Sequence, residues 1–201
     1  MTPARHRKAA EPEAARTSLT PERWVDAATE LLVDHGIDSV RVDVLARELG
    51  VTRGSFYWHF RDREDLLRSV LRAWRERATE QLTQRLEGAG DAREQLRDVL
   101  SLPFRGRAAA RAARIELAIR AWARRDEMAR HAVDEADASR IGYIAQVFSA
   151  LGFAIGDARQ RAFLLYSYLI AESLLGTGGG PAQRDDRTRF VERLMTQDIT
   201  R

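Results

Sequence analysis

Ten consecutive residues, VTRGSFYWHF from Val51 to Phe60, set one arginine, two small residues, four aromatics and a histidine side by side. Five rings in a row, Phe56, Tyr57, Trp58, His59 and Phe60, cannot share one face of a helix, because successive side chains turn around its axis. Some of them must point outward, toward a partner. Other chemistry is thinly represented. His6, His35, His59 and His131 are scattered, with no second ligand at metal spacing, so no metal is expected. The absence of cysteine excludes a disulfide framework, a thiolate zinc site and a thiol nucleophile, and fits a reducing cytoplasm. Gly176 to Pro181, GTGGGP, lacks the preceding strand and the lysine-serine ending of a phosphate loop and reads as a helix-helix link. No nucleophile and base stand in a recognisable arrangement, so neither an enzyme nor a cofactor is expected.

The block needs elements to hold it. Thr20 can cap a first helix, Pro21 suits its first position, and Leu19 can staple onto Trp24. Trp24, Ala28, Leu31 and Leu32 share a face until Gly36, which can take the left-handed conformation that stops a helix. A second stripe, Val42, Leu45, Ala46 and Leu49, ends in the same way at Gly50. Thr52 can then cap a third, short helix that carries Phe56 and Phe60 inward. Asp62 with Asp65 makes an acidic cap for a fourth helix, striped by Leu66, Leu67, Val70, Leu71 and Trp74 and reaching about Glu87. Amphipathic segments follow at about 92–102, 107–124, 126–151, 157–175 and 184–196, with no period-2 run. The expected fold is all-α, without a solenoid repeat.

The 201 residues, 44% of them hydrophobic, suffice for a real core. The net charge of +3 decides nothing about partners. Residues 20–63 are even net acidic, with Arg23, Arg41, Arg47, Arg53, Arg61 and Arg63 against Glu22, Asp26, Glu30, Asp34, Asp38, Asp43, Glu48 and Asp62. Placement matters instead, since phosphates need only local basic groups on one face. Lys8 is the sole lysine, which reads as the codon usage of a GC-rich genome. Residues 1–18 are polar, basic and aperiodic, a flexible arm that either touches DNA or is a plain disordered tail. The start of the sequence lacks a signal-peptide core, and the apolar run from Ala162 to Gly176 is short and contains Glu172, so no membrane partner is expected.

Two short helices joined by ELGVT have the length and glycine turn of a helix-turn-helix, although three-helix bundles in general have such corners. From Pro21 to Leu71 the sequence resembles the tetracycline-repressor (TetR) family of bacterial transcription regulators, carried by the Ala and Gly of helix, turn and helix, by GSFYWHF and by REDLL. The resemblance implies a head at 19–66 and an effector-binding and dimerisation domain at 67–201. Partners are then double-stranded operator DNA, a second copy of the chain and a small effector. It also implies roles. Arg53 would take a guanine in bidentate fashion. Thr52 and Ser55 would anchor phosphate with the amides at the helix start. Tyr57 and His59 would offer polar tips to phosphate oxygens, and Trp58 would lie on sugar or a thymine methyl. Arg63 stands where the family often has a phosphate-binding lysine. Arg41 departs from the family's usual threonine or serine; either it reaches a phosphate or Ser39 serves as the cap. Gly54 costs about 1 kcal/mol of helix propensity, for close approach to DNA or for packing relief.

AFLLYSYLIAESLLG is apolar around much of its circumference and wants cover on two sides, from its own domain and from a twin subunit, unless it is one central core helix. Leu165, Leu169, Leu174, Phe190, Val191 and Leu194 are the expected dimer contacts. Ile115, Ala118, Ile119, Trp122, Met128, Ile144, Phe148, Phe163 and Tyr166 would line a pocket for an apolar or aromatic effector, or would simply be core. The leading expectation is a ligand-responsive repressor; activation, or a non-DNA-binding adaptor on the same fold, stands beside it.

Overall fold

A computed structural model describes residues 19–88, 90–101, 106–175 and 179–197. The arm at 1–18 and part of the 176–181 link lie outside the described residues. Every regular element among those described is helical. In order they are α1 (Pro21–His35), a 3-10 turn (Ile37–Ser39), α2 (Val42–Glu48), α3 (Arg53–Tyr57), α4 (Arg63–Gly88), α5 (Ala92–Ser101), α6 (Gly106–Ala123), α7 (Glu127–Ala150), α8 (Ile155–Leu174) and α9 (Pro181–Thr196). No helix among the described residues is long and apolar enough to cross a membrane.

The punctuation in the sequence sets these boundaries. Pro21 opens α1, and Gly36, at φ 77°, closes it by returning its N–H to the Leu32 carbonyl. Gly50, at φ 67°, makes the turn between α2 and α3. The acidic cap of α4 is reciprocal: the Asp65 amide donates to Asp62 Oδ1 at 2.8 Å while Asp65 Oδ2 accepts from the Arg61 amide at 3.1 Å. Thr20, Arg41 and Thr52 occupy their cap positions by backbone conformation, with no side-chain bond to the helix amides. Ser39 does not cap α2 either; its hydroxyl donates back to the His35 carbonyl, and Arg41 occupies the cap position.

Apolar packing forms two clusters, and they do not divide the chain at residue 66. The first holds the buried faces of α1 to α3 and the start of α4, but also Ile115, Ile119, Trp122 and Ala123 from α6 and Ala129, Ala132, Val133 and Ala136 from α7. The second gathers α5, the later half of α7, α8 and α9. The head is therefore seated on α6 and α7 by a shared core. The small residues Ala129, Ala132 and Ala136, one helical turn apart, bring α7 close to its neighbours. Helix α7 runs through both clusters and changes allegiance between Ala136 and Tyr143.

Ion pairs border this seat. Asp26 meets Arg77 at 3.2 Å, Asp34 meets Arg114 at 2.7 Å, Asp38 meets Arg125 at 2.9 Å, and Glu30 meets Arg111. Each partner is close to half exposed or more, and such pairs contribute about 0 to 1 kcal/mol each. Their larger effect is on charge distribution: four of the eight acids of the 20–63 segment are engaged by arginines from outside it.

Candidate nucleic-acid interface

Phe56 is the hinge pin of the ring cluster. Fully buried, it meets Trp24 edge to face at 5.3 Å, Phe60 at 5.4 Å and Tyr57 edge to face at 5.2 Å between ring centroids. Geometry of this kind adds about 0.5 to 1.5 kcal/mol per pair beyond area burial, and it fixes α3 from behind. With residues 56 and 60 inside, the ring sequence forces its other members out. Trp58 is 87% exposed and Tyr57 is also exposed, with His59 intermediate.

Around these rings lie the polar members of the block. Thr52, Arg53 and Gly54 are exposed and Ser55 is half-buried. No side-chain hydrogen bond or ion pair engages Arg53 among the described residues, which leaves all five guanidinium donors for a partner. The Thr52 hydroxyl is likewise not used to cap α3. A Cβ at Gly54 would meet only that hydroxyl, at an ordinary 3.7 Å. Nothing in its own chain requires glycine there.

Two of the expected contacts are placed differently. Arg63 turns inward: its Nε donates to the Val40 carbonyl at 2.5 Å and an Nη to the Ile37 carbonyl at 2.7 Å. It closes the corner between α1 and α2, bonding the Val40 carbonyl and joining the Val40 N–H on the Ile37 carbonyl, so its guanidinium is turned away from the phosphate role expected of it. Arg41 stays outside but is paired with Asp43 at 3.2 Å. That pair is exposed and exchangeable, unlike the Arg63 tie.

In the body, the expected pocket residues do not surround one space. Ile115, Ile119 and Trp122 are packed in the head's cluster, with Ala118 and Met128 against it, while Ile144, Phe148 and Tyr166 belong to the second cluster. Phe163 is exposed on α8 and lines nothing internal. Between the clusters lies a layer absent from the sequence reading, made of Glu116 and Arg120 on α6, Asp137 and Arg140 on α7 and the Tyr166 hydroxyl on α8. Its signal was present as Glu116 and Arg120 four residues apart and Asp137 and Arg140 three apart, a spacing that equally describes a solvated face.

The expected dimer contacts also separate. Leu165, Leu169 and Val191 face the chain's own second cluster. Phe190 and Leu194 are exposed, and Phe163 and Leu164, outside the expected contacts, are exposed as well. The Leu174 side chain lies outside the described residues. On α9, Val191 and Met195 form the inward pair and Phe190 and Leu194 the outward one, each spaced by four. Helix α9 is tied down by Arg187, whose Nε and Nη2 reach Glu172 Oε1 and Oε2 at 2.7 and 3.1 Å.

Among the described residues no group of His, Cys, Asp and Glu could hold a metal ion. Residues 25–70 match the family described as "Bacterial regulatory proteins, tetR family". The chain is 43% identical over 58 residues to the HTH-type transcriptional regulator SrpR of Pseudomonas putida, a match covering 29% of this chain and 27% of that protein. The chain thus spans about a quarter of that curated relative. Over nearly its whole length it has the fold of a transcriptional regulator from Rhodococcus sp. Rha1, with a TM-score of 0.75 at 20% identity, covering 89% of this chain and 97% of that one. It likewise resembles a transcriptional regulator from Saccharomonospora viridis in complex with choline, with a TM-score of 0.72 at 22% identity over 89% and 96% of the two chains. Residues 25–70 thus match the head of the tetR family of bacterial regulatory proteins, carried on a fold shared with these solved regulators.

Proposed function

We propose that the chain is a sequence-specific DNA-binding transcriptional regulator, a ligand-responsive repressor that works as a homodimer on a two-fold operator. The observation that carries this reading is the outward half of the ring block: Trp58, Tyr57 and an unengaged Arg53 on a helix fixed from behind by Phe56. A large apolar ring left in water beside free hydrogen-bond donors has the character of a surface awaiting a partner, and a short recognition helix of this kind fits the major groove. Arg53 reads base edges; Tyr57, His59 and Thr52 meet the backbone; Trp58 covers sugar or a thymine methyl. The pairing of Asp26, Glu30, Asp34 and Asp38 with arginines outside the head supports the reading, because it neutralises acids that would oppose phosphate.

The homodimer is supported by the outward face of α8 and α9, where Phe163, Leu164, Phe190 and Leu194 are exposed without a polar function of their own. An isologous contact there would hold two heads about 34 Å apart, the spacing of adjacent major grooves. An effector acts by binding the two arrangements of heads with different affinity. That a regulator of the same fold was solved with choline makes a small-molecule effector a reasonable expectation for this chain also.

A gel-shift titration with the DNA flanking its gene, repeated at several salt concentrations, tests the reading. Specific binding that falls steeply and linearly in log salt is expected. An adaptor on the same fold, binding protein in place of DNA, would leave the DNA unshifted at every salt concentration.

A further inference from the structure

The charged layer between the two apolar clusters is expensive to keep. Half-buried ion pairs often hold helices less well than apolar residues of the same volume would. Yet α6, α7 and α8 contribute five polar side chains whose hydrogen bonds, among the described residues, run to one another. Arg120 donates through Nε and Nη2 to Glu116 Oε1 and through Nη1 and Nη2 to the two oxygens of Asp137, at 2.5 to 3.0 Å. Arg140 takes both oxygens of Glu116, at 2.8 and 3.1 Å. The Tyr166 hydroxyl donates to Asp137 Oδ1 at 2.5 Å and accepts from both arginines at 3.0 Å. Arg140 also lies over the ring of Trp74, 5.6 Å from its centre, on the helix that leaves the head.

Two guanidinium groups against two carboxylates make the layer neutral, so it can accept a charged guest only by exchange. The cations are the fixed half. Burial works against both guanidinium groups, but Asp137, Glu116 and Tyr166 outweigh it and hold them above even the ordinary arginine range. The carboxylates are the exchangeable half, and they are unequal. Glu116 is gripped by both arginines and its side chain is 13% exposed; Asp137 is held by one arginine and the phenol and is 26% exposed, the most open of the four charged groups. A cationic guest would have to expel an arginine. An anionic one needs only the place of Asp137.

We propose that this layer accepts an organic carboxylate, which enters by taking the place of the Asp137 side chain on Arg120 and Tyr166. The guest's apolar part would be taken up by parting the two clusters, between Ile119 of the first and Ile144 of the second. This names the chemical class of the effector and rests on the reading of the chain as an effector-responsive regulator. A carboxylate so placed bonds Tyr166, which accepts from Arg140, and through the Arg140 and Trp74 contact acts on α4.

The test is calorimetric titration of the full chain with benzoate and decanoate beside their uncharged amides, and with benzyltrimethylammonium. Each carboxylate should bind at least about tenfold tighter than its amide, and the cation should not bind. Asp137→Asn, which keeps an acceptor for Tyr166 but removes the competing charge, should tighten carboxylate binding by roughly tenfold and leave the amides unchanged. Arg120→Lys, which keeps the charge and loses the fork, should shrink the carboxylate preference. If Asp137→Asn does not fold, judged by thermal melting, the wild-type ratio and Arg120→Lys decide. Equal binding of carboxylate and amide, or a ratio indifferent to these substitutions, overturns the proposal. Operator binding measured without any probe reports separately on the regulator reading: DNA bound without carboxylate preference sinks this proposal alone, and carboxylate preference without DNA binding sinks the other.

Discussion

Two surfaces of this molecule expose large rings and differ in what surrounds them. On α3 and just beyond, Trp58 and Tyr57 stand among Arg53, Thr52, Ser55 and His59. On α8 and α9, Phe163 and Phe190 stand with Leu164 and Leu194. Exposed apolar area alone says only that cover is wanted. The neighbouring donors say which cover: rings interleaved with hydrogen-bond donors suit a polar, charged duplex, whereas rings among leucines suit a second apolar face. The two surfaces also differ in support. The α3 surface is fixed through Phe56 and Phe60 to the first cluster, while the α8/α9 surface rests on the second.

The comparison breaks most visibly at Phe56. Phe56→Ala should cost about 3 to 5 kcal/mol of stability and abolish DNA binding, while below its lowered melting temperature the folded chain keeps the α8/α9 surface and its capacity to self-associate. Thermal melting together with sedimentation checks this; loss of both at once would mean that the two surfaces are not separately supported. At the other surface, Leu194→Glu should weaken self-association roughly hundredfold, since each fully buried leucine contributes about 1.5 to 3 kcal/mol. Sedimentation at micromolar concentration should then show monomer with an unchanged melting temperature. A dimer that persists would move the contact elsewhere.

Arg63→Ala sharpens the boundary between support and contact. Two charged hydrogen bonds to buried carbonyls are lost, a cost on the order of 2 to 3 kcal/mol, so melting temperature and DNA affinity should fall together. A fall in affinity with an intact melting temperature, and a salt slope smaller by about 1, would restore Arg63 to the phosphate. The smallest effect belongs to Arg53→Ala. Stability should not change, and discrimination at one base pair per half-site should drop by about 1 to 3 kcal/mol. Equal loss on operator and scrambled DNA would show that Arg53 reads only phosphate.

How much of this was legible in the sequence follows from the range of each signal. Helix ends were legible because caps, Pro21 and the glycines at 36 and 50 act within a turn. The outward rings were legible because five consecutive rings exceed what one buried face can hold. Arg63 was not, since its partners are the Ile37 and Val40 carbonyls, more than 20 residues away, and a backbone acceptor leaves no mark in side-chain spacing. On α8 the periodicity carried no information: with apolar residues on both sides, nothing separates the inward Leu165 and Leu169 from the outward Phe163 and Leu164. The charged layer was hidden for the opposite reason, because each of its halves is spaced like an ordinary solvated pair and only the tertiary fold brings three helices' polar groups together.

The continuity of α7 bears on how the molecule comes apart. A single helix of 24 residues, about 36 Å long at 1.5 Å per residue, backs the head's cluster with its first half and the second cluster with its last. Neither cluster can melt without baring one flank of that helix, and a helix bared on one flank lacks the packing that keeps it wound in water. Cooperativity thus passes along the backbone itself. The chain should take up heat in one calorimetric transition, as a single domain does, although it carries two exposed ring surfaces of different character.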